Sequence, residues 1–169
     1  ICIIKDLKTM KTPFSKIVGY KCLSLLFITI LCFVSVSAAA QDTLRHEVLL
    51  ETSMGNIRVA LSNETPIHRD NFIRNVKNGV YDGLLFHRVI SSFMIQGGDT
   101  ASRNASPGQH LGDTEEAYSL PAEIRYPQLF HKRGALAAAR EGDSVNPERR
   151  SSSTQFYIVY GRRFTTDML

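Results

Sequence analysis

The segment "FHRVISSFMIQGGD", residues 86–99, decides how the rest of the chain can be interpreted. Its apolar residues predict two short strands, at about 84–90 and 93–98, joined by a pair of serines. Charged and amide side chains are mostly exposed in folded proteins, yet Arg88 and Gln96 lie inside these two strands. The hairpin therefore carries either a functional surface or an internally satisfied polar pair.

The segments before this hairpin predict a strand pair and a helix. "EVLLETSMGNIRVAL" (47–61) alternates apolar and polar residues around a glycine-bearing turn, which is typical of a hairpin. "TPIHRDNFIRNVKNG" (65–79) predicts a helix, because its apolar residues recur at helical spacing. Thr65 suits the cap of that helix, Pro66 its first position and Gly79 its exit.

The segments after the hairpin predict further strands. Residues 100–120 are rich in Ser, Asn, Gly and Asp and indicate a long loop. "GALAAAR" (134–140) and "QFYIVYG" (155–161) predict two strands joined by a polar loop, although the alanine-rich run could also be helical. Many short strands with one early helix favour a closed antiparallel barrel, which leaves no exposed strand edge.

Charge and cysteine separate the first forty residues from the remainder. Residues 1–40 hold five lysines and one acid, a net charge of +4, and all three cysteines. Residues 41–169 hold 15 basic and 15 acidic residues and no cysteine. The balanced charge argues against a nucleic-acid partner. The lack of cysteine excludes a disulfide framework, a thiolate metal site and a cysteine nucleophile from residues 41–169.

Residues 10–40 predict an export signal. Lysines precede an apolar run of about 15 residues, and Ala38-x-Ala40 fits a cleavage site after Ala40. The run is shorter than the ~20 residues that span a bilayer, which favours a cleaved signal. A retained membrane anchor is the alternative. We interpret 1–9 as an over-extended start and 41–169 as the working domain. The expected location is the periplasm, with secretion or membrane anchoring as alternatives.

Residues 81–98, "YDGLLFHRVISSFMIQGG", resemble the signature of the cyclophilin family. The segments "MGNIRVAL", "GALAAAR" and "STQFYIV" resemble further cyclophilin strands in the same order, so the resemblance runs from about Val48 to Gly161. It implies an all-β fold, an eight-stranded closed antiparallel barrel capped by two helices. The last strands would be missing from this chain, which stops at Leu169 in "RRFTTDML" as if another element were beginning.

The resemblance implies a peptidyl-prolyl cis–trans isomerase in which Arg88 is the catalytic group. Arg88 would donate a hydrogen bond to the nitrogen of a twisted X–Pro amide. The positions that would bind substrate are Phe93, Met94, Gln96, Ala139, Arg140, Gln155 and Tyr157. The implied partners are proline-containing unfolded or extended polypeptides, bound by a monomer that folds exported proteins. Rotation about an amide needs no nucleophile or proton transfer, so no cofactor and no metal are expected.

Simpler interpretations of the same residues remain open. Arg88 could be an ordinary surface residue, Phe93, Met94 and Tyr157 could belong to the core, and Gln96 could be a satisfied buried amide. His68, His110 and His131 lack the spacing of metal ligands. At the level of function, the alternatives are a non-catalytic chaperone or peptide-binding module on the same scaffold and a structural subunit of an envelope complex.

Overall fold

The computed structural model describes residues 2–6, 45–163 and 165. Within these residues, nine strands pair as three antiparallel sheets, together with one α-helix and one short 3₁₀ helix. None of the described helices is long and apolar enough to cross a membrane. The predicted signal and its cleavage site, residues 10–40, lie outside the described residues.

The first sheet confirms the predicted amino-terminal hairpin. Strand β2 (Glu47–Thr52) pairs with β3 (Gly55–Ala60), and the turn closes where Thr52 lies opposite Gly55. Strand β1 (Cys2–Asp6) pairs with the other edge of β2. This strand falls in the segment that the sequence assigns to an over-extended start.

Helix α1 (Pro66–Lys77) packs on this hairpin and completes the main apolar core. Three aromatic rings, those of Phe72, Tyr81 and Phe156, contact one another there with centroids 4.9–5.5 Å apart. The other buried members of the core are Val48, Leu50, Val59, Leu61, Val76 and Leu84. The apolar residues of β2, β3 and α1 therefore pack in the same core.

The start of α1 differs from the prediction in one respect. Pro66 does occupy the first turn, but the Thr65 side chain makes no capping hydrogen bond. The carboxylate of Glu123, far along the chain, accepts hydrogen bonds from the backbone N–H groups of Ile67 and His68 at 3.2 and 2.9 Å. Thr65 occupies the predicted N-cap position, but its side chain does not cap the helix, because a distant carboxylate satisfies these first-turn donors instead.

The second sheet contains the hairpin of residues 86–99. Its strand order is β4-β5-β9-β7. The four strands are β4 (Arg88–Ile90), β5 (Met94–Gly97), β7 (Leu136–Ala138) and β9 (Phe156–Val159). All four predicted strands are confirmed, including the alanine-rich one, but each is shorter than predicted.

The third sheet lies in segments that the sequence assigns to loops. Strand β6 (Ser119–Leu120) pairs with β8 (Ser151–Ser152), and the 3₁₀ helix spans Thr100–Asn104. The loop predicted at 100–120 thus begins with a helical turn and ends in a strand. The described residues are mostly strands with one α-helix, and a closed eight-stranded barrel is not apparent in their three sheets.

Candidate active site

One transverse row of residues crosses the second sheet on a single face. Arg88 on β4 lies opposite Gln96 on β5, which lies opposite Tyr157 on β9, which in turn lies opposite Ala137 on β7. Directly opposed residues project to the same face of a sheet. We call these four residues the outer row.

The outer row faces away from the apolar core. Phe156 and Ile158, which flank Tyr157 along β9, pack in or against the core. Because successive side chains of a strand point to opposite faces, Tyr157 and the rest of the outer row point the other way. The charged Arg88 can lie in this strand because this face of the sheet does not contact the main core.

Polar contacts hold Arg88 at one end of the outer row. The Nη1 group of Arg88 donates to Oε1 of Gln96 at 3.1 Å. Nε2 of Gln96 donates to Oε1 of Gln155 at 2.9 Å, and Nε2 of Gln155 donates to the Gly112 carbonyl at 2.9 Å. Gln96 and Gln155 are buried, whereas Arg88 is exposed. Gln96 is thus a satisfied buried amide and also the support of Arg88.

Two aromatic rings lie beside this polar group. The rings of Phe93 and Tyr157 are 6.4 Å apart between centroids and tilted by 42°. Phe93 is 50% exposed, so its ring is accessible to a ligand on this side of the hairpin. Burial raises the pKa of the half-buried Tyr157, with Arg140 acting in the opposite direction, so its hydroxyl stays protonated at neutral pH.

Met94 occupies the same face of the sheet but offers almost no surface. It lies two positions before Gln96 on β5 and opposite Val159, and it is 2% exposed. Both Met94 and Val159 are buried although their face points away from the main core. Met94 therefore forms part of a packed layer at the site, and any substrate contact would require its side chain to become accessible.

The sequence places Ala139 and Arg140 at the groove, and the structure gives both of them internal partners. The N–H of Ala139 donates to the Gln155 carbonyl at 3.0 Å. Nη1 of Arg140 donates to Oδ1 of Asp143 at 2.6 Å and to the Glu141 carbonyl at 2.9 Å. The Arg140 side chain is thus held toward the loop that follows it.

His131 was not among the predicted site residues, yet it contacts the site. Its ring meets that of Tyr157 edge-on at 5.8 Å between centroids, and its Nδ1 lies 3.3 Å from the Tyr157 hydroxyl. His131 stands in a loop 26 positions before Tyr157, and nothing in the local pattern links the two. Only the folded chain brings them together.

Asp99 is a second group that sequence reasoning missed, although it ends the hairpin segment. Its carboxylate is buried and accepts hydrogen bonds from the N–H of Ala101 at 2.9 Å, the N–H of Gly112 at 2.6 Å and Oγ1 of Thr114 at 2.5 Å. Burial alone would raise the pKa of Asp99, but these hydrogen bonds outweigh burial and lower it. Asp99 is therefore ionised at neutral pH.

His87, next to Arg88, has a different environment. Both of its ring nitrogens are buried and have no hydrogen-bond partner among the described residues. Burial lowers the pKa of His87; Asp99 opposes this effect and Arg88 adds to it. His87 is therefore neutral at pH 7, so the positive charge at this end of the outer row belongs to Arg88. The described residues contain no group of three or more His, Cys, Asp or Glu arranged to hold a metal ion.

Comparison with other sequences points to one family. The model of the family described as "Cyclophilin type peptidyl-prolyl cis-trans isomerase/CLD" matches residues 47–167. Proteins of Staphylococcus aureus (strain USA300) and Staphylococcus haemolyticus (strain JCSC1435), each named "Putative peptidyl-prolyl cis-trans isomerase", are 37% and 34% identical to the chain over 125 residues. Each match covers 73% of this chain and 57% of the relative, so the chain spans little more than half the length of these curated relatives.

Solved structures agree with this assignment. The crystal structure of a cyclophilin type peptidyl-prolyl cis-trans isomerase from Cryptosporidium parvum matches with a TM-score of 0.55 and 29% identity, over 69% of this chain and 68% of that one. A second crystal structure of the same protein, obtained in the presence of the dipeptide Ala-Pro, gives a TM-score of 0.52 and 28% identity, over 68% of each chain. The resemblance of residues 81–98 is thereby confirmed, and the chain belongs to the cyclophilin-type peptidyl-prolyl cis–trans isomerase family.

Proposed function

We propose that this chain belongs to an isomerase that accelerates cis–trans rotation of X–Pro bonds in extended polypeptides. The observation that carries the proposal is that one hairpin presents both a charged donor and an exposed apolar ring. Arg88 is held by Gln96 at 3.1 Å, and Phe93 is half exposed. A proline residue presents an apolar ring and an amide nitrogen, and these two groups on the protein match them. The Ala-Pro dipeptide used with the Cryptosporidium parvum protein supports the same class of ligand.

The chemical problem explains why an arginine is useful at this place. The planar amide resists rotation by ~18–20 kcal/mol, because its nitrogen shares a lone pair with the carbonyl. In the twisted transition state that lone pair returns to nitrogen, which then becomes a good hydrogen-bond acceptor. A donor aimed at this nitrogen therefore stabilises the transition state more than either planar isomer.

Arg88 has the properties of such a donor. Its guanidinium stays charged at any physiological pH and offers five N–H groups in a rigid fork. One hydrogen bond, to Gln96, fixes the orientation of this fork, and no other partner of Arg88 is found within residues 45–163. The remaining N–H groups can face a ligand. We infer that the apolar ring of a bound proline lies against Phe93 and Tyr157, with Met94 beneath them.

The test is the rate of cis-to-trans isomerisation of an X–Pro peptide catalysed by the full-length protein. Arg88→Ala should lower kcat/KM roughly 100-fold, as loss of a single transition-state donor does in other enzymes. Arg88→Lys keeps the charge but loses the planar fork, so we expect it to recover only part of the activity. The matched control is Arg58→Ala, because Arg58 is an exposed arginine on β3.

The outcomes separate the activity from the role of Arg88. If the wild-type protein fails to exceed the spontaneous rate, the isomerase proposal is wrong. If Arg88→Ala keeps wild-type activity while Arg58→Ala does too, another group must stabilise the twisted amide. A protein that binds proline peptides without accelerating rotation would instead support a non-catalytic binding module.

We further propose that the protein acts on polypeptides outside the cytoplasm. The support is the amino-terminal segment, with its lysines, its apolar run and its small residues before Gln41. Mass spectrometry of the mature protein should find a new amino terminus at Gln41, and an intact leader would contradict export by cleavage. We also propose that the whole protein closes its sheets into the eight-stranded barrel that the family resemblance implies.

A further inference from the structure

A continuous chain of hydrogen bonds connects the buried Asp99 to Arg88. It runs from the Asp99 carboxylate to the backbone of Gly112, then to the side chains of Gln155 and Gln96, and ends at the guanidinium. Its four contacts measure 2.6, 2.9, 2.9 and 3.1 Å. We infer that Asp99 is a positioning residue for the proposed isomerase site, and this inference rests on the function proposed above.

The Asp99 end of the chain is fixed. The residue is 1% exposed, and its carboxylate accepts three hydrogen bonds, from Ala101, Gly112 and Thr114. A buried carboxylate can only accept, and leaving it without donors would be costly. Two of its donors belong to the loop after the 3₁₀ helix, so Asp99 anchors that loop to the end of β5.

Gly112 transmits this anchoring because one residue makes both contacts. Its N–H donates to Oδ2 of Asp99, and its carbonyl accepts from Nε2 of Gln155. A carbonyl cannot donate, so it determines which end of the Gln155 amide faces it. The Oε1 atom of Gln155 must then point the other way, toward Gln96.

The same reasoning determines the amide of Gln96. Since Oε1 of Gln155 can only accept, Nε2 of Gln96 is its donor, and Oε1 of Gln96 faces Arg88. A guanidinium can only donate, so the two ends of the chain agree in polarity. Without the Gly112 carbonyl, only the guanidinium would favour this orientation of the two amides, and the Gln155 end of the chain would be free to turn. Asp99 thus supports the orientation of Arg88 indirectly, through the loop that carries Gly112.

The test uses isosteric changes at the anchored end in the full-length protein. Asp99→Asn keeps the size of the side chain but replaces one acceptor with a donor that must face either the N–H of Gly112 or the N–H of Ala101 and the hydroxyl of Thr114. Thr114→Val removes one donor to Asp99, while Thr114→Ser restores it. Asp113→Asn is the matched control, because Asp113 lies in the same loop with a side chain that is 83% exposed.

Two measurements are needed, because a purely structural role would affect stability alone. We expect Asp99→Asn to lower kcat about tenfold with KM changed less than about twofold, since small displacements of a catalytic group reduce the chemical step more than binding. Thr114→Val should lower kcat about threefold and Thr114→Ser should restore it. In NMR spectra, the side-chain amide signals of Gln96 and Gln155 and the Nε–H signal of Arg88 should shift in Asp99→Asn but not in Asp113→Asn.

The outcomes distinguish this inference from the proposed function. A folded Asp99→Asn protein with wild-type kcat and unmoved Gln96, Gln155 and Arg88 signals would overturn it. Should Asp99→Asn fail to fold, the Thr114 pair decides, and equal kcat for its valine and serine variants would overturn the inference. If the wild-type protein shows no isomerase activity, the proposed function fails, whereas the NMR shifts still test whether Asp99 orients Arg88.

Discussion

At the scale of single residues, Gly98 shows how closely the hairpin approaches its neighbour. It has a φ of +94°, and a Cβ added there would meet the Thr154 carbonyl oxygen and lie 2.8 Å from Cα of Gln155. Both contacts are with backbone, which cannot move as the end of a side chain can. The absence of a side chain at residue 98 therefore allows β5 to end directly against the segment that carries Gln155.

We expect Gly98→Ala to destabilise the protein by about 3 kcal/mol or more, because it adds a backbone clash to a left-handed conformation. Gly108→Ala is the control: its φ is +81°, but open space surrounds the added Cβ. The control should cost about 1 kcal/mol from backbone strain alone. Urea unfolding of the two variants measures the difference, and equal losses would show that the close approach contributes nothing.

The apolar pattern of the hairpin pointed to Arg88 and Gln96, and the family resemblance added Gln155 and Tyr157, whereas neither indicated His131 or Asp99. Arg88 and Gln96 stand out because they interrupt an apolar pattern, and their contact follows from the antiparallel pairing of β4 and β5. His131 and the partners of Asp99 lie in loops without periodicity. Loop geometry depends on tertiary contacts, so no local pattern could have indicated them.

At the scale of secondary-structure elements, Glu123 joins helix α1 to the third sheet. Besides accepting from the first turn of α1, its Oε2 lies 2.7 Å from Nδ1 of His68, whose Nε2 lies 2.6 Å from Oγ of Ser151 on β8. Ser151 is 6% exposed, so this Ser–His–Glu arrangement is structural rather than open to a substrate. Burial would raise the pKa of Glu123, but the hydrogen bonds from His68 and Ile67 outweigh it and lower it.

Glu123→Gln should reduce the free energy of unfolding by about 1–2 kcal/mol at pH 7, because the amide replaces a charged acceptor at the helix start. A lowered pKa means that the unfolded state takes up the proton first. The stabilisation by Glu123 is therefore present above its unfolded pKa of 4.5 and is lost as pH falls toward the folded value. The difference between wild type and variant should shrink below that pH, as measured by urea unfolding.

The control for this prediction is Glu64→Gln, because Glu64 is an exposed glutamate just before the same helix. It should change stability by less than about 0.5 kcal/mol. A loss equal to that of Glu123→Gln would indicate a general charge effect at the start of α1.

Element boundaries were predicted less well than element order. The apolar segment 84–87 was predicted as the start of a strand but forms none, because its backbone takes other partners. The N–H of Leu85 donates to Oγ of Ser102 at 3.1 Å, and Leu84 enters the core. An apolar run indicates that some of its side chains are buried, but it does not show whether the backbone pairs with a neighbouring strand.

At the scale of the whole molecule, the folded protein favours the deprotonated forms of three side chains. The pKa values of His87, Asp99 and Glu123 are all lowered in the folded protein. For each group the unfolded chain binds its proton at a higher pH than the folded chain. Stability therefore rises with pH through their titration range.

We expect the free energy of unfolding to fall as pH is lowered from 7 to 4. The upper part of this decrease, which begins near the unfolded histidine pKa of 6.5, belongs to His87, and the lower part belongs to the carboxylates. His87→Leu should flatten the curve between about pH 6.5 and 5, since it removes the buried ring that resists protonation. His110→Leu, at an 83% exposed side chain, is the control, and a similar flattening there would contradict the assignment.

The family could be predicted from the sequence, as could the order of the amino-terminal hairpin, helix α1 and the four strands of the second sheet, because the residue 81–98 motif and three further strands occur in the expected order. The pairing between distant segments could not be predicted. Strand β1 lies along β2 although some forty residues separate them, and β6 pairs with β8 across a separation of about thirty. Such pairings depend on which edges are left open after the local hairpins form.

The exposure of Arg88 and Phe93 determines how a polypeptide could reach the candidate site. Arg88 is exposed and Phe93 is half exposed, so neither is enclosed by the described residues. A polypeptide could approach sideways and leave by the same route, without threading a free end. A proline in the middle of a long segment, flanked by regions that have already folded, would then be as accessible as one near a terminus.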